Sequence, residues 1–494
     1  MSDFNYSRLT ELDRSFLIYE GPSSPMHVGA VTILEGAPLR EPGPAIDLDR
    51  ILEYVESRLH LIPRYRQHVE AAPIDGHPIW VDDARFNLRY HVRHTRLPKP
   101  GNERILKRTC ARILEQRLDL HKPLWELWVV EGLEQDRVAI VSKTHHCMID
   151  GISGVDLLSV LMTPEPTEKI EPPPVWLPRR GPTAIEYATG EAMRRLGEPV
   201  AAARALGRVL IDRDHARAEM LERLRAVAHL TTSALSGTAQ TPLNQPIGPH
   251  RRLDWVPMSL DDIGIVRTRL GGTVNDVVLA VVAGAIRRFL KHVRMTDPDA
   301  LEFKVMAPVS VRDPRERGRL GNRVAAWLVP LPIGERDPLV RLARVRETTQ
   351  ELKRRHEALG AESLTHALEW LGATPISLGA RAMETAPPFN MVVTNVPGPR
   401  GPLYLLGARM LEAHPMVPLL GSLSVGIALF SYGRTISWGF TADWDLVPDL
   451  HELVLSVQHA FQQLLDRARH APEPAPQAAA EPARARRRRQ QASP

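Results

Sequence analysis

Apolar and polar residues recur with regular spacing along most of this chain, and the spacing changes from one stretch to the next. Apolar residues at three- and four-residue steps predict helices, whereas short runs of β-forming residues predict strands. The pattern predicts helices from Leu12, over 46–61 and over 105–117, and strands around 28–34, over 125–130 and over 138–144. Because helices and strands are interspersed, we expect an α/β fold of the layered α+β type.

Proline-rich stretches divide the chain into segments. Residues 164–182 are rich in proline and predict a loop, and the Ala/Arg/Leu-rich stretch 183–236 that follows has a helical pattern. We therefore expect an N-terminal lobe over 1–182, a helical connector with a proline-rich linker over 183–252, a C-terminal lobe over 253–469, and a disordered Ala/Pro/Arg tail over 470–494.

Length, cysteine count and charge exclude several classes of protein. A chain of 494 residues suggests two or three folded units. Two cysteines cannot form a disulfide framework, and the polar N-terminus lacks the apolar core of a signal peptide, so we expect a cytoplasmic protein. The longest apolar run, 277–286, is too short to cross a bilayer. The net charge of +5 includes an Arg486–Arg489 run in the tail, and the body lacks the basic stripe of a nucleic-acid-binding surface.

The stretch from Val138 to Gly151 is the most informative for chemistry. Side chains alternate along a strand, so His145 and His146 point in opposite directions and only one of them can enter a given cleft. A histidine at a strand end, just before a turn, is well placed to project into a crevice. With an ordinary pKa near 6.5, a neutral imidazole there can accept a proton from a hydroxyl group as a general base.

The same residues have plainer interpretations. A His-His pair near Asp150 is compatible with a structural cluster, in which the carboxylate orders the turn or caps the following helix. A metal site is disfavoured because the two histidines diverge and no third ligand is visible, and zinc needs at least three converging ligands. Cys147 is a weak candidate nucleophile, since its neighbours are apolar and no activating partner is identified.

Residues 145–151 match the HHxxxDG signature of CoA-dependent acyltransferases and condensation domains. Further stretches resemble the bacterial wax ester synthase/diacylglycerol acyltransferase family in particular and occur in the right order over roughly residues 8 to 468. These are Leu12-Asp13, Pro25-Met26-His27-Val28-Gly29, Pro123-Leu124-Trp125-Glu126, Thr273-Val274-Asn275-Asp276-Val277, Leu320-Gly321-Asn322, Asn395-Val396-Pro397-Gly398-Pro399, and Thr441-Ala442-Asp443 with Val447-Pro448-Asp449. The turn at Ser431-Tyr432-Gly433 departs from the family pattern, and the tail after Arg469 has no counterpart in it.

The resemblance implies a two-lobed fold like that of chloramphenicol acetyltransferase, with an active-site tunnel between the lobes. His146 would be the general base, with His145, Asp150 and Gly151 supporting the motif and its turn. Asn275 would either donate to the developing oxyanion or hold the tunnel wall. The implied reaction transfers a long-chain acyl group from acyl-CoA, as co-substrate, directly to the hydroxyl of diacylglycerol or a long-chain alcohol. No bound cofactor or metal is implied.

The resemblance also implies contact with lipid, since diacylglycerol and its product are nearly insoluble. We expect peripheral association with the inner face of the plasma membrane or with lipid droplets, through the connector or the tail. Arg312, Arg323 and Arg400 are possible CoA phosphate contacts, although the chain is rich in arginine. Two alternatives stay open: a condensation-type enzyme that forms amides or esters, and a catalytically weak paralogue that binds acyl-CoA.

Overall fold

The computed structural model describes residues 6–40, 43–148, 160–193, 238, 240–310, 324–359 and 387–471. The helices of this part are α1 (Glu11–Tyr19), α2 (Leu48–Arg58), α3 (Leu88–His91), α4 (Glu103–Glu115), α5 (184–193), α6 (Leu260–Leu270), α7 (Val274–His292), α8 (Pro338–Leu359) and α9 (Leu450–His470). The strands are β1 (Ser7–Arg8), β2 (His27–Glu35), β3 (Gln67–Ala71), β4 (Pro78–Asp82), β5 (Val92–Arg96), β6 (Trp125–Leu133), β7 (Arg137–His145), β8 (Arg251–Ser259), β9 (Phe303–Ser310), β10 (Val324–Leu331), β11 (Met391–Val396), β12 (Tyr404–Leu405), β13 (Ala408–Met416), β14 (Val425–Tyr432) and β15 (Thr435–Asp443).

The first six-stranded sheet has the order β12-β13-β2-β7-β6-β5, so β7 lies near its centre. Both faces of β7 are covered, and its residues divide between two apolar clusters. Val138 and Ile140 pack with α2, whereas Ala139 and Val141 pack with α4. This division follows from the two-residue period of a strand. It fixes which way each successive side chain of β7 points, up to the histidines at its end.

The second six-stranded sheet has the order β10-β9-β11-β14-β15-β8. Helices α7 and α9 pack against each other beside it and share one large apolar cluster with its strands. Helix α7 is apolar on nearly all sides and is buried along most of its length, as expected for a central helix. A three-stranded sheet, β1-β4-β3, is packed with Tyr187 of α5 in a cluster of its own.

A crossover ties the two large sheets together. Strands β12 and β13 come from the second half of the sequence but belong to the first sheet, where β13 pairs with β2. A Cβ atom on Gly439 of β15 would lie 1.7 Å from the carbonyl oxygen of Pro415 in β13, so only glycine permits this approach. At the same junction the rings of Trp255 and His414 stack at 4.6 Å. The proposed C-terminal lobe, 253–469, therefore lends two strands to the N-terminal sheet.

Most elements predicted from the pattern are present. The three predicted helices correspond to α1, α2 and α4, and the three strands to β2, β6 and β7. Strand β4 lies in a stretch for which the pattern predicted neither a helix nor a strand. The connector is described only at α5, and Asp150, Gly151, Arg312, Arg323 and the tail beyond Ala471 lie outside the described residues. The described single helices are each too short or too polar to cross a membrane, although α6 and α7 together, with a 96° bend, have the required length and composition.

Candidate active site

The two histidines follow directly from the end of β7. His145 is the last strand residue, and its backbone N–H donates to the carbonyl of Leu124, just before β6. His146 opens a 3₁₀ turn over His146–Met148, and its N–H donates to Met26 just before β2 at 2.7 Å. The backbone of both neighbouring strands therefore fixes where the histidines lie.

The side chain of His145 is fully buried and has a partner at each ring nitrogen. Nδ1 accepts from the Cys147 backbone N–H at 3.2 Å, and Nε2 lies 2.6 Å from Oε2 of Glu20. Since Nδ1 accepts, the proton resides on Nε2 and is donated to the carboxylate. His145 is thus held by the scaffold, as the strand alternation predicts for one of the two histidines.

His146 is half-buried as a residue, and its partners differ from those of His145. It stacks on Phe16 of α1, with 3.8 Å between ring centroids and 24° between the planes. Its Nδ1 is buried and makes no hydrogen bond to the described residues. Burial is the main cause that lowers the pKa of His146 to about 4; the nearby His145 also lowers it, and a hydrogen bond with its own backbone opposes the shift. The imidazole is therefore neutral at physiological pH and able to accept a proton.

Charged side chains are buried behind the histidine pair. The Glu20 side chain is 1% exposed, and its Oε1 accepts from Nε of Arg117 at 3.0 Å. Burial would raise the pKa of Glu20, but hydrogen bonds from His145 and Arg117 outweigh it and the pKa is lowered. The Lys143 ammonium, fully buried on β7, donates to the carbonyl of Ile113 and pairs with Glu126 at 3.3 Å. Burial lowers the pKa of Lys143, while Glu126 opposes this.

Trp125, at the start of β6, fixes the same region by packing. Its indole is 1% exposed, donates to the carbonyl of Tyr65 at 2.8 Å, and stacks on His91 at 4.7 Å. Its backbone pairs with Thr144, next to the histidines. Trp125 therefore holds the end of β7 in place, through its backbone pairing with Thr144 and the packing of its indole ring.

Cys147 does have a histidine beside it, which the sequence did not reveal. Its Sγ lies 3.0 Å from Nδ1 of His145. Burial raises the pKa of the Cys147 thiol well above its ordinary value, and the carboxylates of Asp13 and Glu20 raise it further. The thiol therefore stays protonated, which does not favour a nucleophilic role.

Comparison with known proteins decides the family. Residues 9–278 match the model of the wax ester synthase/diacylglycerol acyltransferase catalytic domain, and residues 320–465 match that of the family's C-terminal domain. The chain belongs to the wax ester synthase/diacylglycerol acyltransferase family. The resemblance found in the sequence is thereby confirmed, and with it the assignment of the chain as an acyltransferase.

Relatives of the chain match nearly its whole length. One from Mycobacterium tuberculosis, named as a diacylglycerol O-acyltransferase, is 32% identical over 94% of this chain and 91% of its own. A second from the same organism, with the same named activity, is 31% identical over 93% and 96% of the two chains.

Solved structures confirm the two-lobed fold. The wax ester synthase/diacylglycerol acyltransferase from Marinobacter aquaeolei superposes with a TM-score of 0.66 at 24% identity, covering 94% of this chain and all of the other. The starter condensation domain of rhizomide synthetase, in a complex with C8-CoA and Leu-SNAC, has a TM-score of 0.55 at 12% identity over 95% and 96% of the two chains. At these identities the likeness establishes the fold alone.

Further motif elements of the family lie in the second lobe. Asn275 lies in the first turn of α7, and its Oδ1 accepts from Nδ2 of Asn395 at the end of β11, at 2.7 Å. Asp276 caps the same helix, accepting from the backbone and hydroxyl of Thr273 and from the hydroxyl of Thr349. Within the described residues, no hydrogen bond joins Asn275 to His146. The geometry thus ties Asn275 to a neighbouring strand.

The expected tunnel stays a prediction. A cavity of about 10 Å³ lies inside the first lobe between α2 and the sheet, lined by residues that include Ile51, Ile140 and Leu405, and a larger surface pocket lies between β10 and α8. His146 lines neither of them. Residues 149–159, which follow the histidine turn and include Asp150 and Gly151, lie outside the described part. In that part, no three His, Cys, Asp or Glu side chains are grouped to hold a metal ion.

Proposed function

We propose that this acyltransferase transfers a long-chain acyl group from acyl-CoA to the hydroxyl of diacylglycerol, with His146 as general base. The observation that carries the proposal is the neutral imidazole of His146, a half-buried residue directly after β7, beside a fully buried His145 with a partner at each ring nitrogen. The named activity of the M. tuberculosis relatives supports diacylglycerol as acceptor. The family's description as wax ester synthase supports long-chain alcohols as a second acceptor class.

In the proposed reaction, the imidazole accepts the hydroxyl proton as the alcohol oxygen attacks the thioester carbonyl carbon. The tetrahedral intermediate then expels the CoA sulfur, which takes the proton from the imidazolium. Ester and free CoA result, and no covalent acyl-enzyme is needed. The hydrogen bond from Asn395 engages only the amide oxygen of Asn275, so it fixes the side chain and leaves the N–H₂ group to donate to an oxyanion. Asp150 and Gly151 are proposed to complete the motif's turn.

The test of the general base compares His146→Ala with the unmodified protein. Purified chain receives labelled palmitoyl-CoA with dioleoylglycerol and hexadecanol in competition, and products are separated by thin-layer chromatography. We expect acyl transfer to fall by about 10²- to 10⁴-fold in the variant. His121→Ala, which alters a surface histidine with a side chain 96% exposed, is the control and retains full activity. Full turnover by His146→Ala would remove the base from the mechanism.

We further propose that the protein meets its lipid substrates at the cytoplasmic face of the membrane or on lipid droplets, as a peripheral protein. The insolubility of diacylglycerol supports this, because the acceptor has to be taken from a lipid phase. Co-sedimentation with liposomes of phosphatidylcholine and phosphatidylglycerol tests it, with the intact chain compared to one lacking 471–494. Loss of binding on deletion would assign the contact to the arginine-rich tail, and unchanged binding would exclude the tail. Absence of binding by the intact chain would contradict peripheral association.

A further inference from the structure

Helix α1 and the residue that follows it contact both histidines of the motif. Phe16, on α1, stacks on the ring of His146, and Glu20, directly after the helix, binds Nε2 of His145. Phe16 lies within α1, whereas Glu20 is the C-cap residue of the helix and has an extended backbone. One short segment of the chain, more than one hundred positions away in sequence, therefore reaches both imidazoles.

The Phe16 contact restrains the ring of His146 directly. With 3.8 Å between centroids and nearly parallel planes, the phenyl ring covers one face of the imidazole. A covered face cannot be hydrated, and burial is the main cause that lowers the pKa of His146. The remaining apolar side of Phe16 packs against the first sheet's apolar cluster, which holds the phenyl ring in place.

The Glu20 contact restrains the turn that carries His146. Oε2 of Glu20 accepts from His145, and Nδ1 of His145 accepts from the Cys147 N–H. The carboxylate thus fixes the tautomer of His145, and the tautomer fixes a backbone N–H within the 3₁₀ turn. Arg117 holds the second carboxylate oxygen at 3.0 Å. A rotation of the Glu20 side chain would break its bonds to His145 and Arg117 and so loosen the turn.

The segment is itself anchored at its start. Thr10 caps α1, accepting from the backbone N–H of Asp13 at 3.1 Å and donating to its carboxylate at 2.7 Å. The carbonyl of Leu9, just before the cap, bonds the ring of His77 at 3.0 Å. With contacts at both ends, α1 cannot slide along the histidine turn without breaking them.

We propose that Phe16 and Glu20 are positioning residues of the acyl transfer: Phe16 fixes the ring of His146, and Glu20, through His145, fixes the turn that carries it. This proposal rests on the proposed role of His146 as general base. It identifies residues outside the HHxxxDG motif that determine how well the base is aligned. Misplacing a catalytic group by about 1 Å can lower a rate by about 10²-fold, so such residues have measurable effects.

Other ionisable groups face the same turn and bear on its pH dependence. They are Asp13 and Glu20 on the side of α1, His27 on β2, Arg64 in the 3₁₀ helix Pro63–Arg66, and His145 and Cys147 of the turn itself. Burial is the main cause that lowers the pKa of His27 to about 3, and Lys143 and His145 contribute to the same shift, so His27 is neutral at physiological pH. The acidic limb of the activity profile is therefore expected to report His146.

The first experiment compares Phe16→Leu with Phe16→Ala by the pH dependence of kcat/KM for palmitoyl-CoA and dioleoylglycerol. Alanine admits water to the imidazole, so we expect the acidic limb to move upward by about one pH unit or more, toward the ordinary histidine value. Leucine keeps the ring covered but not stacked, and kcat falls by about two- to tenfold with the limb in place. Ile18→Ala, on the exposed side of the same helix, is the control and changes neither quantity.

The second experiment compares Glu20→Ala with Glu20→Gln. Alanine frees His145, and we expect kcat to fall by about ten- to hundredfold with KM unchanged. Glutamine still offers one oxygen to His145 but presents an N–H group to Arg117, so it restores part of the loss. In ¹⁵N-labelled protein, the nitrogen shifts of His145 are expected to report the Nε2–H tautomer in the unmodified chain and a tautomer mixture in Glu20→Ala.

Histidine NMR keeps this proposal separate from the proposed function. The signal of His146, assigned by its loss in His146→Ala, titrates whether or not the chain acylates diacylglycerol. A higher pKa of His146 in Phe16→Ala, in protein that melts within a few degrees of the unmodified chain, supports the proposal. Unchanged titration together with an unchanged acidic limb would overturn it for Phe16. An unchanged kcat and tautomer in Glu20→Ala would overturn it for Glu20. Inactivity of the unmodified chain with every alcohol would instead contradict the proposed function.

Discussion

The two large sheets of this protein bury different kinds of residue. Every buried histidine of the described chain lies on or beside the first sheet or the small sheet: His27, His77, His91, His145 and His414. The second sheet and its helices form one extended apolar cluster, in which α7 contributes valine, alanine, isoleucine and phenylalanine along most of its length. Within the described residues, the buried histidines thus lie with the first and the small sheet, whereas the second sheet is built around one large apolar cluster.

This difference explains why the candidate site lies where it does. A histidine at the end of an apolar strand would be a cost to folding unless its nitrogens were bonded. In the first lobe, His145 is bonded at both ring nitrogens, with Glu20 at Nε2, whereas His91 is bonded at Nδ1 by the carbonyl of Trp125 and its Nε2 has no hydrogen-bond partner among the described residues. In the second lobe, buried charged side chains bond backbone groups at the ends of helices and strands. Asp276 caps the start of α7, and Arg287 donates to the carbonyls of Ile333 and Gly334, which follow β10. We therefore expect acid to act mainly on the first lobe.

The largest expected effect is acid destabilisation through His27 and His91. Burial lowers their pKa values to about 3 and about 4 in the folded protein, against 6.5 for the unfolded chain. Below pH 6.5 the unfolded chain binds more protons than the folded one. The contribution of the two neutral histidines to the free energy of unfolding is therefore fully present above pH 6.5 and is lost as the pH falls toward 4. Each histidine contributes a slope of about 1.4 kcal/mol per pH unit in this range.

Urea unfolding between pH 7.5 and 4.5 measures this slope. His91→Phe preserves the aromatic stack between Phe86 and Trp125 and is expected to reduce the slope by about one proton's contribution. His121→Gln, at the surface, is the matched control and leaves the slope unchanged. Equal slopes for His91→Phe and the unmodified chain would show that the buried histidines do not carry the acid sensitivity.

A core truncation in the second lobe should be nearly independent of pH. Phe289 is fully buried on α7. We expect Phe289→Ala to lower the unfolding free energy by about 3–5 kcal/mol, because the removed ring leaves a cavity. The slope of stability against pH should stay as in the unmodified chain, since no titrating group changes. Met295→Ala, with a side chain 83% exposed, is the control and costs little. A changed slope in Phe289→Ala would mean that the two lobes do not differ as described.

Local sequence patterns predicted the first lobe's site better than they predicted its surroundings. Strand alternation predicted that only one of His145 and His146 enters a given cleft, and the structure gives the two residues different partners, Glu20 and Phe16. Glu20 could not be recognised as the partner of His145, since it lies 125 positions earlier and a carboxylate at a helix end is common. The assignment of β13 to the first sheet was equally hidden. Its pattern indicates a strand but not which sheet edge receives it, and a proline at 415 only restricts its pairing.

The smallest effect is expected from breaking an exposed ion pair, and a buried ion pair provides the comparison. Lys143 and Glu126 are 0% and 7% exposed and lie 3.3 Å apart beneath the histidines. Lys143→Met keeps most of the side-chain volume but removes the charge that faces Glu126 and the donor to the carbonyl of Ile113. We expect it to cost about 3 kcal/mol of unfolding free energy, because a buried carboxylate loses a partner and keeps Arg93 and Trp128 as its partners among the described residues.

Arg89 and Asp49 form the matched exposed pair. Their side chains are 68% and 79% exposed, and the guanidinium nitrogen lies 2.5 Å from the carboxylate oxygen. Water solvates both groups when the pair is broken, so Arg89→Met should change the unfolding free energy by less than about 1 kcal/mol. Raising the salt concentration should remove even that difference, while the effect of Lys143→Met should persist, because buried charges are screened far less. Urea unfolding at low and high salt measures both variants side by side. If Lys143→Met and Arg89→Met lowered the unfolding free energy equally, burial would not determine how much an ion pair contributes in the first lobe. The contrast between the lobes would then rest on the histidines alone.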